Sequence, residues 1–99
     1  MGIRITRGAA PDEQLMRGIF AAENCPHPRR WSGGPEETYD WHGHGYQKVL
    51  FCVSGAIAFQ DREGMNFRLE PGDRLDIDAG TEHRAVAGPE GVECMESFR

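Results

Sequence analysis

Trp41 to Ala87 is the stretch that decides the fold, and it reads WHGHGYQKVLFCVSGAIAFQDREGMNFRLEPGDRLDIDAGTEHRAVA. Short apolar runs alternate here with turn residues, and the turns fall at 54–55, 62–64, 71–73 and 79–80. Over Met65–Leu69 the apolar residues occupy every second position, which is the period of a strand with one buried face. Short strands at such even spacing are typical of an antiparallel barrel or sandwich.

The same pattern continues on both sides of this stretch. It predicts seven strands, at 39–43, 46–54, 56–61, 65–69, 73–77, 83–87 and 92–98, with a turn at 88–91 before the last. Upstream, Ile3 and Ile5 indicate a short first strand. Pro11 and the acids that follow it predict a helix over 12–23, because they suit the first turn and the positive end of the helix dipole. The segment 26–37 is rich in proline, glycine and arginine, and is predicted to be a loop.

The strand at 46–54 is apolar on both of its faces. Tyr46, Leu50 and Cys52 share one face, and the intervening residues Val49, Phe51 and Val53 form the other. A strand of this kind must be covered on both sides. One side is the barrel interior, and the other needs either the 12–23 helix, with its apolar stripe, or a second subunit. We therefore expect a homodimer.

Length and composition set the outer limits. The 99 residues make one domain over 1–99, with the N-terminal strand and helix in 1–25 and the barrel at about 38–98. The net charge of −5 has the wrong sign for a general nucleic-acid binder. We find neither an apolar run of roughly 18 residues for a membrane span nor a secretory signal. The 3 cysteines have irregular spacing, which predicts no disulfide framework and favours the cytoplasm.

His42-Gly43-His44 is the first candidate for chemistry. On a strand, residues two apart point the same way, so two imidazoles can converge on one metal ion at about 2.0–2.1 Å each. The spacing alone also fits two solvated loop histidines. The rest of the central stretch decides between these interpretations.

Three residues separate His44 from Lys48, and six residues separate Lys48 from Gly55. Further along, five residues separate Gly72 from the segment 78–80, and two residues separate that segment from His83. This spacing resembles the paired motifs of the cupin superfamily. The resemblance implies an all-β fold, an antiparallel double-stranded β-helix (the cupin or jelly-roll barrel), with one short N-terminal helix. It also implies a metal site formed by His42, His44 and His83.

The sequence departs from the family pattern at four places. Glu36 replaces the leading glycine of the first motif, and Asp78 and Ala87 replace the proline and asparagine of the second. The fourth departure bears on the chemistry, because Lys48 stands where the family has a glutamate ligand. It is the one lysine in the chain, beside ten arginines.

Three interpretations of Lys48 remain open from the sequence. Its amine pairs with Asp76, Asp40 or Glu96 and leaves a three-histidine site; or the pocket binds no metal and Lys48 holds an anionic ligand. In the third, desolvation and nearby positive charge lower its pKa and make it a base or a Schiff-base nucleophile.

The resemblance therefore predicts a small metal-dependent enzyme that acts on a small polar organic molecule, as a dioxygenase or isomerase. One divalent ion (Zn, Fe, Mn or Ni) would be its cofactor, and Lys48 or Tyr46 would position the substrate or move a proton. Tyr46, Leu50 and Phe59 are the expected pocket residues. The alternative is a non-catalytic module that binds a small ligand, with a structural metal ion or none.

Residues near the motif have simpler interpretations. His27 is expected to be solvated, or else to touch the barrel mouth as part of a lid, and Cys25 is a remote candidate for a further ligand. The segment 29–31 forms a surface patch or clamps a carboxylate over the pocket. Glu82 is expected to face away from the cavity, and Trp41 and Tyr39 are expected to pack rather than touch substrate.

Overall fold

The structure, a computed structural model, describes residues 2–99. It contains one helix, α1 (Glu13–Ala22), and seven strands within that range. The strands are β1 (Ile3–Thr6), β2 (Arg29–Gly33), β3 (Thr38–His42), β4 (Lys48–Asp61), β5 (Asn66–Leu69), β6 (Arg74–Ile77) and β7 (His83–Phe98). Helix α1 begins after Asp12, whose carboxylate accepts a hydrogen bond from the Leu15 amide at 2.9 Å, as an N-cap residue does.

All strand pairs are antiparallel, and the two long strands β4 and β7 form the centre of the fold. The first half of β4 pairs with β6 and its second half with β5. Strand β7 pairs with β3 through its first half and with β2 through its second. One half of each long strand therefore lies with β6 and β2, and the other half lies with β5 and β3. This arrangement confirms the predicted double-stranded β-helix with one short N-terminal helix.

The long strands correct two predicted turns. The predicted strands 46–54 and 56–61 form the single strand β4, and 83–87 and 92–98 form the single strand β7. Gly55 and Gly91 have φ values of 74° and 82°, and a Cβ on Gly55 would lie 2.2 Å from the Gly91 carbonyl oxygen. Glycine therefore lets strands β4 and β7 approach closely at Gly55 and Gly91, where the register of their pairing shifts.

The predicted loop at 26–37 is also wrong in part, because it contains strand β2. This strand pairs with the end of β7 in the register Arg29↔Glu96 to Gly33↔Val92. Arg29 lies opposite Glu96, and Arg30 lies opposite Met95 but forms an ion pair with Glu93. Such charged cross-strand pairs give no periodic hydrophobic signal. Strands β1 and β2 also belong to the sheet, so it extends beyond the predicted barrel limits of 38–98.

Both faces of the first half of β4 are buried, as predicted. Leu50 and Cys52 face the barrel interior, whereas Val49 and Phe51 face a second core formed with α1. In that second core the rings of Phe20 and Phe51 meet edge to face at 5.2 Å. The helix, rather than a second subunit, covers this face. The homodimer stays a prediction, without support from this strand. No helix in residues 2–99 has the length and apolar character needed to cross a membrane.

Candidate metal centre

Three histidines meet at one end of the barrel. His42 is the last residue of β3, His83 is the first residue of β7, and the antiparallel register places them directly opposite each other. His44 follows two residues later, where its carbonyl oxygen accepts a hydrogen bond from the Gly80 amide at 2.8 Å. The turn between β6 and β7 thereby holds the end of the HxH segment beside His83.

The three side chains converge. Their ligand nitrogens all lie within 4.8 Å of one another, and the ring centroids are 4.4 Å apart for His42 and His83. The centroid of His44 lies 5.1 Å from that of His42 and 5.3 Å from that of His83. Two nitrogens that bind one ion at about 2.1 Å each lie at most about 4.2 Å apart, so small rotations suffice for ligation.

Hydrogen bonds to carbonyl groups fix the tautomers of two rings. His42 donates from Nδ1 to the Asp40 carbonyl oxygen at 2.7 Å, and His83 donates from Nδ1 to the Thr81 carbonyl oxygen at 3.0 Å. The Nε2 atoms of both rings therefore carry lone pairs. In the described part of the chain, the buried Nε2 of His44 has no hydrogen-bond partner. This donor set fits a metal ion, since ligating histidines use one nitrogen and donate a hydrogen bond from the other.

Burial favours the neutral form of His44 and His83, which is the form that binds metal. His83 is 1% exposed, and burial, with smaller contributions from His42, His44 and Lys48, lowers the pKa of its imidazole to about 4. Burial also lowers the pKa of His44, followed by the charge of Lys48. Both rings are therefore neutral at physiological pH.

A cavity of about 190 Å³ lies against two of the histidines. Its lining residues come from strands β2, β3, β4 and β7, and are Arg29, Trp31, Tyr39, His42, Lys48, Ile57, Phe59, His83, Ala85 and Glu96. Phe59 thus lines this cavity, whereas Leu50 lies fully buried in the barrel core. Tyr46 lines a neighbouring cavity of about 250 Å³, and its ring stacks on His44 at 5.0 Å.

Lys48 points into the barrel and pairs with a carboxylate. Of the three partners open from the sequence, it takes Glu96, with 3.0 Å between Nζ and Oε1. Arg29 donates to Oε2 of the same carboxylate from Nε at 3.1 Å and Nη2 at 3.0 Å. Burial alone would raise the pKa of Glu96, but the charges of Lys48 and Arg29 outweigh it and hold the pKa below its usual value.

Other candidates from the sequence lie away from the three histidines. Cys25 is buried in the core beneath α1, and His27 is exposed beside the neighbouring cavity. Glu82 pairs with Arg62 at 3.0 Å, and Trp41 packs beneath the guanidinium groups of Arg62 and Arg84.

Tyr39, which was expected to pack, packs edge to face on Trp31 and also lines the cavity. Two cavity residues were not singled out from the sequence, Ile57 and Ala85. A signal existed for both, since Ile57 lies two positions before Phe59 and Ala85 two positions after His83. Side chains two apart on a strand share a face. Alternation from those two residues would have found both.

The comparisons with known proteins agree with this architecture. The Cupin domain family model matches residues 30–97, well over half of the chain. The chain belongs to the cupin family. A comparison of this cupin with curated protein sequences finds no match.

Solved structures with the same fold come from several bacteria. A DUF861 family protein from Thermotoga maritima matches at a TM-score of 0.70 and 14% identity, over 98% of this cupin and 99% of that chain. A cupin-2 domain protein from Shewanella frigidimarina matches at 0.61 and 22% identity, over 83% and 89% of the two chains. Identities this low establish the fold alone.

A third similar structure is an acireductone dioxygenase from Bacillus anthracis with a cadmium ion in its active centre. It matches at a TM-score of 0.64 and 18% identity, over 86% of this cupin and 57% of that chain. Three further matched structures are also longer, and this cupin spans 39%, 64% and 30% of their lengths.

Proposed function

We propose that this cupin is a metal-dependent enzyme that acts on a small polar organic molecule. The observation that carries the proposal is the convergence of three imidazoles, with the Nε2 atom of His44 buried and without a partner, beside an open cavity. A buried polar atom without a partner carries a desolvation cost that a bound ion would remove.

His42, His44 and His83 would hold one divalent ion. The carbonyl groups of Asp40 and Thr81 keep two of the rings oriented. Three neutral nitrogen ligands suit Zn, Fe or Ni, because imidazole is a good ligand for these ions, whereas Mn favours oxygen ligands. When bound, the ion supplies Lewis acidity or, in the case of iron, activation of oxygen.

The chain's own residues add binding and orientation. Glu96 fixes the ammonium group of Lys48 on the cavity wall, where it can donate a hydrogen bond to a substrate oxygen. Ile57, Phe59 and Trp31 form an apolar wall that excludes water from one side. Held in this way, Lys48 is a hydrogen-bond donor, since its ammonium group is ion-paired with Glu96 and has three N–H groups.

Metal binding is the first test. We expect calorimetric titration of metal-free protein with zinc to show one ion per chain, and His83→Ala to weaken that binding at least a hundredfold. His27→Ala is the matched control, because His27 is exposed and lies outside the three-histidine group. Equal zinc affinity in the wild type and in His83→Ala would overturn the proposed site.

A second candidate function is a non-catalytic module that binds a small ligand. The ion pair of Lys48 with Glu96 favours it, because a paired ammonium is not available as a free base. Oxygen consumption by iron-loaded protein with diketone, thiol or phenolic compounds would support an enzyme. Zinc-dependent binding of a ligand without turnover would support the module.

A further inference from the structure

The cavity beside the histidines carries a surplus of positive charge. Three of its lining residues are ionised side chains, and they are Arg29, Lys48 and Glu96. We call them the cavity trio. Two cations share one carboxylate, in a protein whose formal net charge is −5. The surplus is therefore local to the cavity and opposite in sign to the molecule as a whole.

The cavity trio has more hydrogen-bond donors than its one carboxylate can accept. Glu96 uses Oε2 for two N–H groups of Arg29, and its Oε1 faces Lys48. An ammonium and a guanidinium together have more N–H donors than one carboxylate can accept. The side chain of Lys48 is only 14% exposed, so bulk water screens its charge weakly.

The trio also lies between two cavities. Arg29, Lys48 and Glu96 line both the cavity of about 190 Å³ beside the histidines and the neighbouring one of about 250 Å³. The side chain of Arg29 is 74% exposed. A ligand in either cavity can therefore meet the cations.

The remaining walls limit the kind of ligand. Trp31, Ile57 and Phe59 also line the cavity and give it apolar surface. At about 190 Å³, the cavity is smaller than the roughly 300–1,000 Å³ that drug-sized ligands occupy. A short molecule with one anionic end and a compact body fits both the charge and the size.

We propose that this cavity takes a small carboxylate anion, with its carboxylate group against Lys48 and Arg29. The inference deepens the proposed function, since the anion would be the substrate or ligand of the same site. The surplus of positive charge in the cavity exists with or without a bound metal ion. Three neutral imidazoles bring no negative charge to a divalent cation, so metal loading increases the surplus that the anion offsets.

A matched pair of probes tests this class. We would titrate (S)-lactate and its uncharged isostere (S)-lactamide into zinc-loaded and metal-free protein, and follow amide shifts by NMR. We expect lactate to bind zinc-loaded protein at least tenfold more tightly than lactamide. Equal affinities for the two probes would overturn the proposal.

Two substitutions in the trio should act in opposite directions. Lys48→Met should weaken lactate binding at least tenfold, with less than a threefold change for lactamide. Glu96→Gln should tighten lactate binding about threefold or more, because it removes the competing carboxylate. A merely structural role would instead weaken both probes in both variants. If Lys48→Met does not fold, the direction of the Glu96→Gln effect decides.

Arg30→Met is the control for charge. Arg30 neighbours Arg29 on β2, but pairs with Glu13 and Glu93 outside the cavity, so the substitution should leave lactate binding unchanged. The zinc and lactate titrations together separate the two proposals. Lactate selectivity in metal-free protein that binds no zinc would retain the anion site and reject the metal site. Zinc binding by the three histidines without lactate selectivity would retain the metal site and reject the anion site.

Discussion

Two ion-pair networks in this protein differ in charge balance. The first, which we call the helix network, contains three arginines and three carboxylates among residues 2–99, and these members are Arg4, Glu23, Arg74, Asp76, Asp78 and Arg99. The second is the cavity trio, with two cations and one carboxylate. Both networks line a cavity, but only the unbalanced one lies beside the histidines, and the balanced one joins α1, β1 and β6.

The contacts of the helix network explain its structural role. Arg74 on β6 donates to both oxygens of Glu23 at 2.6 and 2.7 Å, just after α1, and to both oxygens of Asp76 at 2.7 and 3.1 Å. Arg99 binds the same Glu23 at 2.7 Å. Each carboxylate oxygen of Glu23 and Asp76 in these contacts already has a partner. The network therefore holds the helix, β6 and the end of the chain together.

The largest effect should follow from breaking the balanced network. Arg74→Met leaves the buried Asp76 and the partly buried Glu23 without their main partner, and we expect a loss of about 3 kcal/mol in the free energy of unfolding. Urea denaturation measures it. Arg68→Met is the control, since its pair with Glu70 is exposed and should contribute less than about 1 kcal/mol. Equal losses in both variants would contradict the comparison.

Acid should weaken the histidine end of the barrel before it weakens the helix network. The pKa of His83 is about 4 in the folded protein and 6.5 in the unfolded chain. Between these values the unfolded state binds more protons, so stability is complete above pH 6.5 and falls as pH decreases toward 4. In metal-free protein we expect a loss of about 2 kcal/mol between pH 7 and 5.

The same titration distinguishes the two regions. His83→Gln should flatten this pH dependence, and His27→Gln should not. The bonds from Arg74 outweigh burial and lower the pKa of Glu23 below 4.5, so its stabilising contribution is complete above pH 4.5 and is lost only at lower pH. An unchanged slope in His83→Gln would show that other groups cause the loss above pH 4.5.

A smaller effect should follow from breaking the unbalanced trio. In Lys48→Met, Glu96 keeps its two hydrogen bonds from Arg29, so we expect a loss of only about 1.5 kcal/mol in the free energy of unfolding. Urea denaturation of Lys48→Met and Arg74→Met under the same conditions compares the two losses in the free energy of unfolding directly. A loss in Lys48→Met as large as that in Arg74→Met would assign the trio a mainly structural role.

Much of the site was predictable because its signals are local or follow fixed spacing. His42 and His44 lie two apart, and the turn residues before His83 indicate where β7 begins. Alternation along the chain also placed Lys48 on the side of the histidines. These inferences need only the two-residue period of a strand.

The parts that escaped sequence reasoning depend on contacts between distant segments. Three carboxylates could pair with Lys48, and the choice of Glu96 follows from the β4–β7 register, in which Leu50 lies opposite Glu96. Strand β2 is held by charged pairs with β7. The bend at Gly55 follows from a close approach to Gly91. A single sequence carries no periodic signal for any of these pairings.

The most direct test of the account is a crystal structure of the protein with cobalt and (S)-lactate, with anomalous scattering to locate the metal. We predict one cobalt ion bound to the Nε2 atoms of His42, His44 and His83, and the lactate carboxylate against Lys48 and Arg29. Cobalt bound elsewhere, or lactate bound away from both cations, would contradict it.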